Sequence, residues 1–249
     1  MPNSFPCAGN DSAIQFWPAP RCFSPAIMNA TALLARFLEL TKGSSSYFVS
    51  GSFSFLSRLH HYREPEHDLD IAVDAALFGQ MREQLHSDEN LHRLSLPEVA
   101  LADASFVSWL PARTSFVHIN TPEGLLDCAQ YVMTPSGLSF TLGPGLRLTL
   151  PQSVLARVET ITWQEFSYRA GPVELAFIPK AIAYAKNPSA LDRKHVKDLR
   201  RLSPLIDPAF LEELAQFRGL HLFGRPLPRG LDPFARLPEI ARKIALRFG

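Results

Sequence analysis

Two carboxylates two residues apart, Asp68 and Asp70, lie in the run HDLDIAVD. The alternation of this run predicts a β-strand, in which both carboxylates share one face. Its apolar residues then point to the opposite face, into a core: Leu69, Ile71, Val73. Carboxylate oxygens at this spacing can share Mg²⁺, which prefers hard oxygen ligands and accompanies substrate phosphates. A solvated strand end is the alternative interpretation of a D-x-D triplet.

A Gly-Ser pair precedes the two acids. Gly51 and Ser52 follow the apolar run Tyr47–Val49, which predicts a short strand, a turn and then a helix. Glycine lets the backbone approach a ligand closely, and Ser52 can cap the helix or offer its hydroxyl and amide to a phosphate. An ordinary turn with an N-cap is the alternative. The conjunction of this turn with the D-x-D strand favours a phosphate and metal site.

A third acid, Asp127, interrupts the apolar run GLLDCAQYV of residues 124–132. Burying an unpartnered carboxylate is costly, so Asp127 should have a metal, a basic partner or access to substrate. A structural salt bridge to an arginine such as Arg113 is the alternative. Asp103 and Glu123 are weaker candidates because their surroundings resemble loops. The interruption of an apolar run therefore makes Asp127 a candidate site residue.

Basic residues cluster further along the chain, in IPKAIAYAKNPSALDRKHVKDLRRL. Lys180 lies early in one predicted helix, and three cations repeat at i, i+4 and i+8 in the next: Arg193, Lys197, Arg201. Like charges at this spacing repel. A triphosphate, a nucleic-acid backbone or the neighbouring Asp192 and Asp198 could offset that repulsion, whereas a solvated basic face is the alternative.

No other catalytic or metal-binding motif is evident. The eight histidines show no metal-ligand spacing: His60, His61, His67, His86, His92, His118, His195, His221. The chain contains no G-x-S-x-G, P-loop or G-x-G-x-x-G pattern. The acids and the Gly-Ser turn are therefore the predicted centre of the chemistry.

The segment REPEHDLDIAV, with the Gly-Ser turn before it, resembles the aminoglycoside and lincosamide nucleotidyltransferases and the AbiEii-like toxin nucleotidyltransferases. The resemblance implies that Asp68 and Asp70 ligate metal. It also implies that the Gly51 backbone and Ser52 hold the β- and γ-phosphates, with Arg63 assisting near the triphosphate. Many members carry small residues after the turn, whereas this chain has a bulky phenylalanine, which we interpret as a change in packing.

Two further segments share the resemblance. LLDC is similar to the run that carries the third acid of the family, which implies a catalytic and metal-binding role for Asp127. The downstream order of Lys, Arg and (Lys/Arg)-Asp-Leu is similar to an AbiEii-like motif in which the Lys contacts nucleotide phosphate, and it corresponds to Lys180, Arg193, Lys197 and Asp198. Family members often have a second Asp where this chain has an arginine, so Asp198 either lies in the site or orients Lys180 or Arg193.

The elements that position these residues follow from periodicity. Residues 1–28 are proline-rich and predict an extended N-terminal arm. A helix is predicted from an Asn29 N-cap to Gly43, and a second over ALFGQMREQLHSDE. Residues 91–150 show short alternating segments between Pro or Gly turns, namely FVSWL, SFVHI, LLDCAQYV, LSFTL and LRLTL. These predict a sheet that is mostly antiparallel.

The remainder is predicted to be helical. QSVLARVETITWQEF predicts a helix, followed by a short strand or turn at 172–178 and a helix from about Pro179 to the break at Asn187. PAFLEELAQF and LPEIARKIALRF predict two more amphipathic helices. The predicted fold class is α/β (α+β), a nucleotidyltransferase-like mixed sheet flanked by helices plus a helical C-terminal half. The predicted domains are an arm (1–28), an α/β core (29–150) and a helical domain (151–249).

Composition excludes several classes. The 249 residues carry a net charge of +1, which gives no argument for binding nucleic acid or anionic membrane. The N-terminus lacks the pattern of a secretory signal, and no run is long enough to span a membrane. Three widely spaced cysteines, Cys7, Cys22 and Cys128, argue against a disulfide framework or a zinc site. We predict a cytosolic location.

The predicted activity is transfer of a nucleoside monophosphate from an NTP to an acceptor, dependent on Mg²⁺ or Mn²⁺, with release of pyrophosphate. The leading prediction is a toxin-like enzyme that modifies tRNA or protein and could have a cognate antitoxin as partner. Two alternatives stay open at this point. An antibiotic-type enzyme would modify a small-molecule alcohol. A non-catalytic protein would keep the fold as a nucleotide-binding or regulatory module.

Overall fold

The structure is a computed structural model, and it describes residues 29–56, 58–59, 68–95, 113–189 and 193–248. The predicted arm 1–28, Arg63, Asp103 and Asp192 lie outside the described residues, as does the predicted strand FVSWL. The helices are α1 Ala30–Thr41, α2 Gly51–Leu56, α3 Ala75–Glu83, α4 Ser153–Ala156, α5 Val173–Lys186, α6 Arg193–Leu202, α7 Pro208–Phe217 and α8 Leu237–Phe248. Two short 3₁₀ turns are Ser203–Leu205 and Pro233–Arg236.

Eleven strands of the described chain form the sheet. They are β1 Tyr47–Val49, β2 Asp68–Asp74, β3 Asn90–Ser95, β4 Arg113–Thr121, β5 Gly124–Thr134, β6 Gly137–Gly143, β7 Leu146–Pro151, β8 Glu159–Trp163, β9 Phe166–Ala170, β10 Leu220–Leu222 and β11 Arg225–Pro226. The order is β11-β10-β7-β6-β5-β2-β1-β9-β8, with β4 on β5 and β3 on β4. The pairs β2–β5 and β1–β9 are parallel and the others antiparallel. The predicted mixed sheet with flanking helices is confirmed.

The apolar face of β2 fixes the direction of its acids. Leu69, Ile71 and Val73 are fully buried in a cluster that also contains apolar residues of α1 and α3. Helix α1 begins as predicted, because the Asn29 side chain accepts a hydrogen bond of 3.0 Å from the Ala32 amide. Since side chains alternate along a strand, packing of this face turns the carboxylates of β2 to the other side of the sheet.

The opposite face of the sheet is covered by the C-terminal helices. Ala72 of β2 and Ala129 of β5 belong to a second apolar cluster that includes Phe177 of α5 and buried residues of α6, α7 and α8. Both alanines lie two residues beyond an acid, Asp70 or Asp127, on the same face of their strands. The acids therefore stand at the edge of a covered face, close to α5.

One predicted helix is wrong. Residues 152–166 form only the four-residue α4 and then β8, followed by β9. The run Glu159–Trp163 alternates and is rich in β-branched residues, which favours a strand over a helix. Helix α5 begins at Val173 and contains Pro179, so the predicted strand or turn at 172–178 is also wrong.

The sheet continues past the predicted domain boundary at residue 150. Val49 at the end of β1 pairs in parallel with Ala170 of β9. The Gly171 amide donates a hydrogen bond of 2.8 Å to the Val49 carbonyl. The division into core and helical domain stays a prediction, but residues from both sides of it hold the turn after β1. None of the described helices combines the length and apolar character that crossing a membrane requires.

Candidate active site

Three carboxylates meet at the junction of β2 and β5. The parallel register places Asp70 directly beside Asp127, and Asp68 beside Leu125. One oxygen from each of Asp68, Asp70 and Asp127 lies within 4.8 Å of the other two. Asp127 is 3% exposed. Acids that are far apart in the sequence thus form one cluster with the donor atoms that a divalent metal ion requires.

The cluster is electrostatically unfavourable as it stands. Burial, followed by the negative charges of Asp68 and Asp127, raises the pKa of Asp70 well above its ordinary value. The positive charges of Lys180 and Lys194 lower that pKa in part. Hard oxygen donors that repel each other in a partly desolvated place fit a divalent cation, because the cation removes the repulsion. The cluster could therefore hold a metal ion.

Gly51 lies against this cluster. Its φ is +58°, and a Cβ atom on it would lie 1.7 Å from Oδ2 of Asp70. The preceding Ser50 amide donates a hydrogen bond of 2.8 Å to the Asp70 carbonyl, which draws the turn onto β2. Only glycine satisfies both the left-handed backbone and the close approach. Ser52 follows in the first turn of α2, where it is half-buried.

Helix α2 is held in place by residues that follow position 150. The Tyr168 hydroxyl donates a hydrogen bond of 3.0 Å to the Phe53 carbonyl. The Phe53 ring packs edge-on against Trp163, with centroids 5.6 Å apart at 87°. The Arg58 guanidinium donates a hydrogen bond of 3.2 Å to the carbonyl of Gly171. The bulky residue after the Gly-Ser turn is therefore a core residue that joins α2 to β8 and β9.

Lys180 and Asp198 face each other between α5 and α6. Their Nζ and Oδ2 atoms are 4.0 Å apart, and the side chains are 18% and 1% exposed. Asp198 was predicted either to lie in the site or to orient Lys180 or Arg193. This contact favours the role of orienting Lys180. Arg193 and Lys197 are exposed, on the opposite face of α6 from its buried residues. Lys194, which the sequence analysis did not select, is the cation of α6 whose charge acts on Asp70.

His118 is a second residue that the sequence analysis missed. Its Nε2 atom lies 2.8 Å from Oδ1 of Asp127, with exposures of 16% and 4% for the two side chains. The two atoms do not form a hydrogen bond by geometric criteria, and the contact is an ion pair when the imidazole is protonated. The β4–β5 hairpin explains the contact, since it pairs Thr121 with Gly124 and, further along, His118 with Asp127. A basic side chain beside Asp127 is thus His118, on the neighbouring strand. The side chain of Arg113, the alternative partner named from the sequence, lies outside the described part of the chain.

The sequence contains a pattern that predicts the pairing of His118 with Asp127. The predicted strands SFVHI and LLDCAQYV are separated by Asn-Thr-Pro-Glu-Gly, which contains turn-forming residues. Counting outwards from a two-residue turn at Pro122 and Glu123 places His118 opposite Asp127. A search for metal-ligand spacing along the chain could not find it, because the two residues meet across strands.

The comparisons with known proteins support the fold alone. No protein-family model and no curated protein matches the chain. The crystal structure of ANT(2″)-Ia in complex with adenylyl-2″-tobramycin is similar with a TM-score of 0.50 and 14% identity, over 75% of this chain and 95% of that one. The solution structure of the antibiotic-resistance factor ANT(2″)-Ia gives a TM-score of 0.51 and 15% identity, over 77% and 93%. The predicted nucleotidyltransferase fold is confirmed.

Proposed function

We propose that this protein is a nucleotidyltransferase, which moves a nucleoside monophosphate from an NTP to a hydroxyl group of an acceptor. The observation that carries the proposal is the cluster of Asp68, Asp70 and Asp127 beside Gly51, in a chain with a nucleotidyltransferase fold. The three acids and the glycine turn come from separate parts of the sequence. Their convergence in one place is stronger evidence for a nucleotide and metal site than the acids or the glycine turn would be alone.

Asp68, Asp70 and Asp127 would hold Mg²⁺ or Mn²⁺. The mutual repulsion that raises the pKa of Asp70 supports this assignment, because a bound cation offsets it. When bound, the ion neutralises charge on the triphosphate. Placing three carboxylates in one partly buried cluster is costly without such a partner.

The remaining residues bind and orient the two substrates. The acceptor oxygen attacks the α-phosphorus of the NTP, the bond from that phosphorus to the bridging oxygen of the β-phosphate breaks, and pyrophosphate leaves. Asp127 accepts the proton of the acceptor hydroxyl. Ser52 and the Gly51 backbone bind the outer phosphates together with Lys180, and Lys194 adds positive charge. Positioning and charge stabilisation of this kind supply most of the catalysis of phosphoryl-type transfers.

The roles that the resemblance suggested for four further residues stay predictions. Arg63, near the triphosphate, lies outside the described residues. Arg193 and Lys197 are exposed on α6, so a role for them requires a triphosphate or an acceptor that extends over the outer face of that helix. For Asp198 we predict that it orients Lys180, whose Nζ atom lies 4.0 Å from its Oδ2 atom.

We infer that the acceptor is a small-molecule alcohol. A nucleotidyltransferase of similar fold is bound to adenylyl-2″-tobramycin, a nucleotide-antibiotic conjugate, and the net charge of +1 offers little attraction for nucleic acid. The toxin-like alternative, with tRNA or protein as acceptor and a cognate antitoxin, has the Lys180–Arg201 cluster in its favour. The intact acidic cluster disfavours a non-catalytic module. A cytosolic location stays a prediction.

The acceptor can be tested with labelled nucleotides. We expect α-³²P-labelled NTP, in the presence of Mg²⁺ or Mn²⁺, to label one or more compounds of an aminoglycoside panel with release of pyrophosphate. Label in total tRNA or in a protein fraction would instead establish the toxin-like alternative. Absence of transfer to every acceptor, together with absence of NTP binding in calorimetry, would contradict nucleotidyl transfer itself.

Lys180→Ala is expected to weaken NTP binding in the presence of Mg²⁺ by roughly 10-fold or more, because a charge-assisted contact to phosphate is worth about 1.5–3 kcal/mol. Isothermal titration calorimetry measures the change directly. Lys186→Ala is the matched control, since Lys186 lies exposed in the last turn of the same helix. An unchanged affinity in Lys180→Ala would remove Lys180 from the nucleotide site.

A further inference from the structure

A row of four side chains crosses the sheet at the acidic cluster. The strand registers pair His92 with His118, His118 with Asp127, and Asp127 with Asp70. Residues paired across strands share one face of a sheet. The row therefore runs from an exposed edge histidine, through a half-buried histidine, into the carboxylates.

His118 contacts the acids through Asp127. The only group of three or more metal-binding side chains among the described residues consists of Asp68, Asp70 and Asp127, and no histidine nitrogen joins it. The Nε2 atom of His118 is 2.8 Å from Oδ1 of Asp127. This arrangement disfavours His118 as a metal ligand. It favours a role in which His118 contacts Asp127, and Asp127 in turn binds the metal.

The contact restricts how Asp127 can present its oxygens. A carboxylate with two equivalent oxygens can turn about its last side-chain bond, which has a broad, two-fold profile. A ring nitrogen against Oδ1 holds that oxygen, so Oδ2 is left for a cation or an acceptor hydroxyl. Groups that contact a ligating carboxylate in this way commonly fix its orientation.

We propose that His118 is a positioning residue for Asp127. It selects the carboxylate oxygen that Asp127 turns to the metal and the acceptor, and it acts without touching either. The inference rests on the proposed function, since it assigns His118 a role in the same site. It is independent of the acceptor's identity.

The test measures Mn²⁺ binding as well as transfer. Calorimetric titration with Mn²⁺ and the labelled-NTP assay are applied to the wild type, to His118→Ala and to His118→Gln, whose amide nitrogen can replace Nε2. We expect His118→Ala to lose roughly 10–100-fold in Mn²⁺ affinity or in kcat, with a wild-type melting temperature. His118→Gln is expected to recover most of the loss. His86→Ala, at an exposed histidine, is the control and should match the wild type.

The outcomes separate this inference from the proposed function. If the wild type binds Mn²⁺ and transfers nucleotide but His118→Ala equals it, the positioning role is wrong and the proposed function stands. If both variants lose affinity equally and melt at a lower temperature, His118 is merely structural and the inference is also wrong. If the wild type binds no Mn²⁺ with or without NTP, both the inference and the proposed metal site fail.

Discussion

Asp70→Asn is expected to abolish nucleotidyl transfer while the melting temperature stays equal to that of the wild type or rises. One oxygen of Asp70 lies within 4.8 Å of an oxygen of each of the other two acids, and burial together with their charges raises the pKa of Asp70 well above its ordinary value. The substitution replaces a charged ligand of the cation with a neutral amide. Because several kcal/mol of transition-state stabilisation depend on such a ligand, the rate of transfer should fall by roughly 10³-fold or more. The same change removes repulsion inside the folded, metal-free protein.

Labelled-NTP transfer and thermal melting are measured together, and Asp74→Asn is the matched control. Asp74 lies at the far end of the same strand and caps α3, accepting a hydrogen bond of 2.8 Å from the Ala76 amide. Asparagine is an equally good N-cap, so Asp74→Asn should retain both activity and stability. Retained activity in Asp70→Asn would contradict the metal assignment.

Gly51→Ala is expected to lower both stability and activity. A left-handed backbone costs a residue with a Cβ atom about 1–2 kcal/mol, and at φ +58° the new Cβ would lie 1.7 Å from Oδ2 of Asp70. Either the carboxylate or α2 must move. A displacement of about 1 Å at a catalytic group can cost roughly 10²-fold in rate.

Gly43→Ala separates the cost of a left-handed backbone from the effect of a Cβ atom that clashes with Asp70. Gly43 has a φ of +73°, but a Cβ atom there would have no neighbour within 4 Å. This variant should therefore show only the backbone cost in chemical denaturation, with transfer activity unchanged. Equal loss of activity in the two variants would show that the approach of Gly51 to Asp70 is unimportant for catalysis.

The parts of the site that depend on local patterns were predictable. Alternation in HDLDIAVD requires Asp68 and Asp70 to face away from the core, because the apolar face of β2 is buried against α1 and α3. The cost of burying a lone carboxylate made Asp127 a candidate, and the resemblance of LLDC to the family run that carries a third acid selected it. The Gly-Ser turn followed from residue types that tolerate a left-handed backbone and start a helix.

The parts that depend on long-range pairing were not predictable in the same way. Local residue patterns do not determine that β5 pairs in parallel with β2, although this register brings Asp127 beside Asp70. Strand β8 lies within the helix predicted for residues 152–166, because its alternation extends over only five residues and is a weak signal against a helix. Lys194 was passed over in favour of Arg193 and Lys197, because the buried side of α6 depends on what it packs against.

The most direct test of the central claim is a crystal structure of the wild type with Mn²⁺ and a non-hydrolysable NTP analogue. We expect an anomalous manganese peak in contact with carboxylate oxygens of Asp68, Asp70 and Asp127, with the triphosphate beside Gly51 and Ser52 and near Lys180. A bound nucleotide elsewhere on the protein, with no manganese between the three acids, would contradict it.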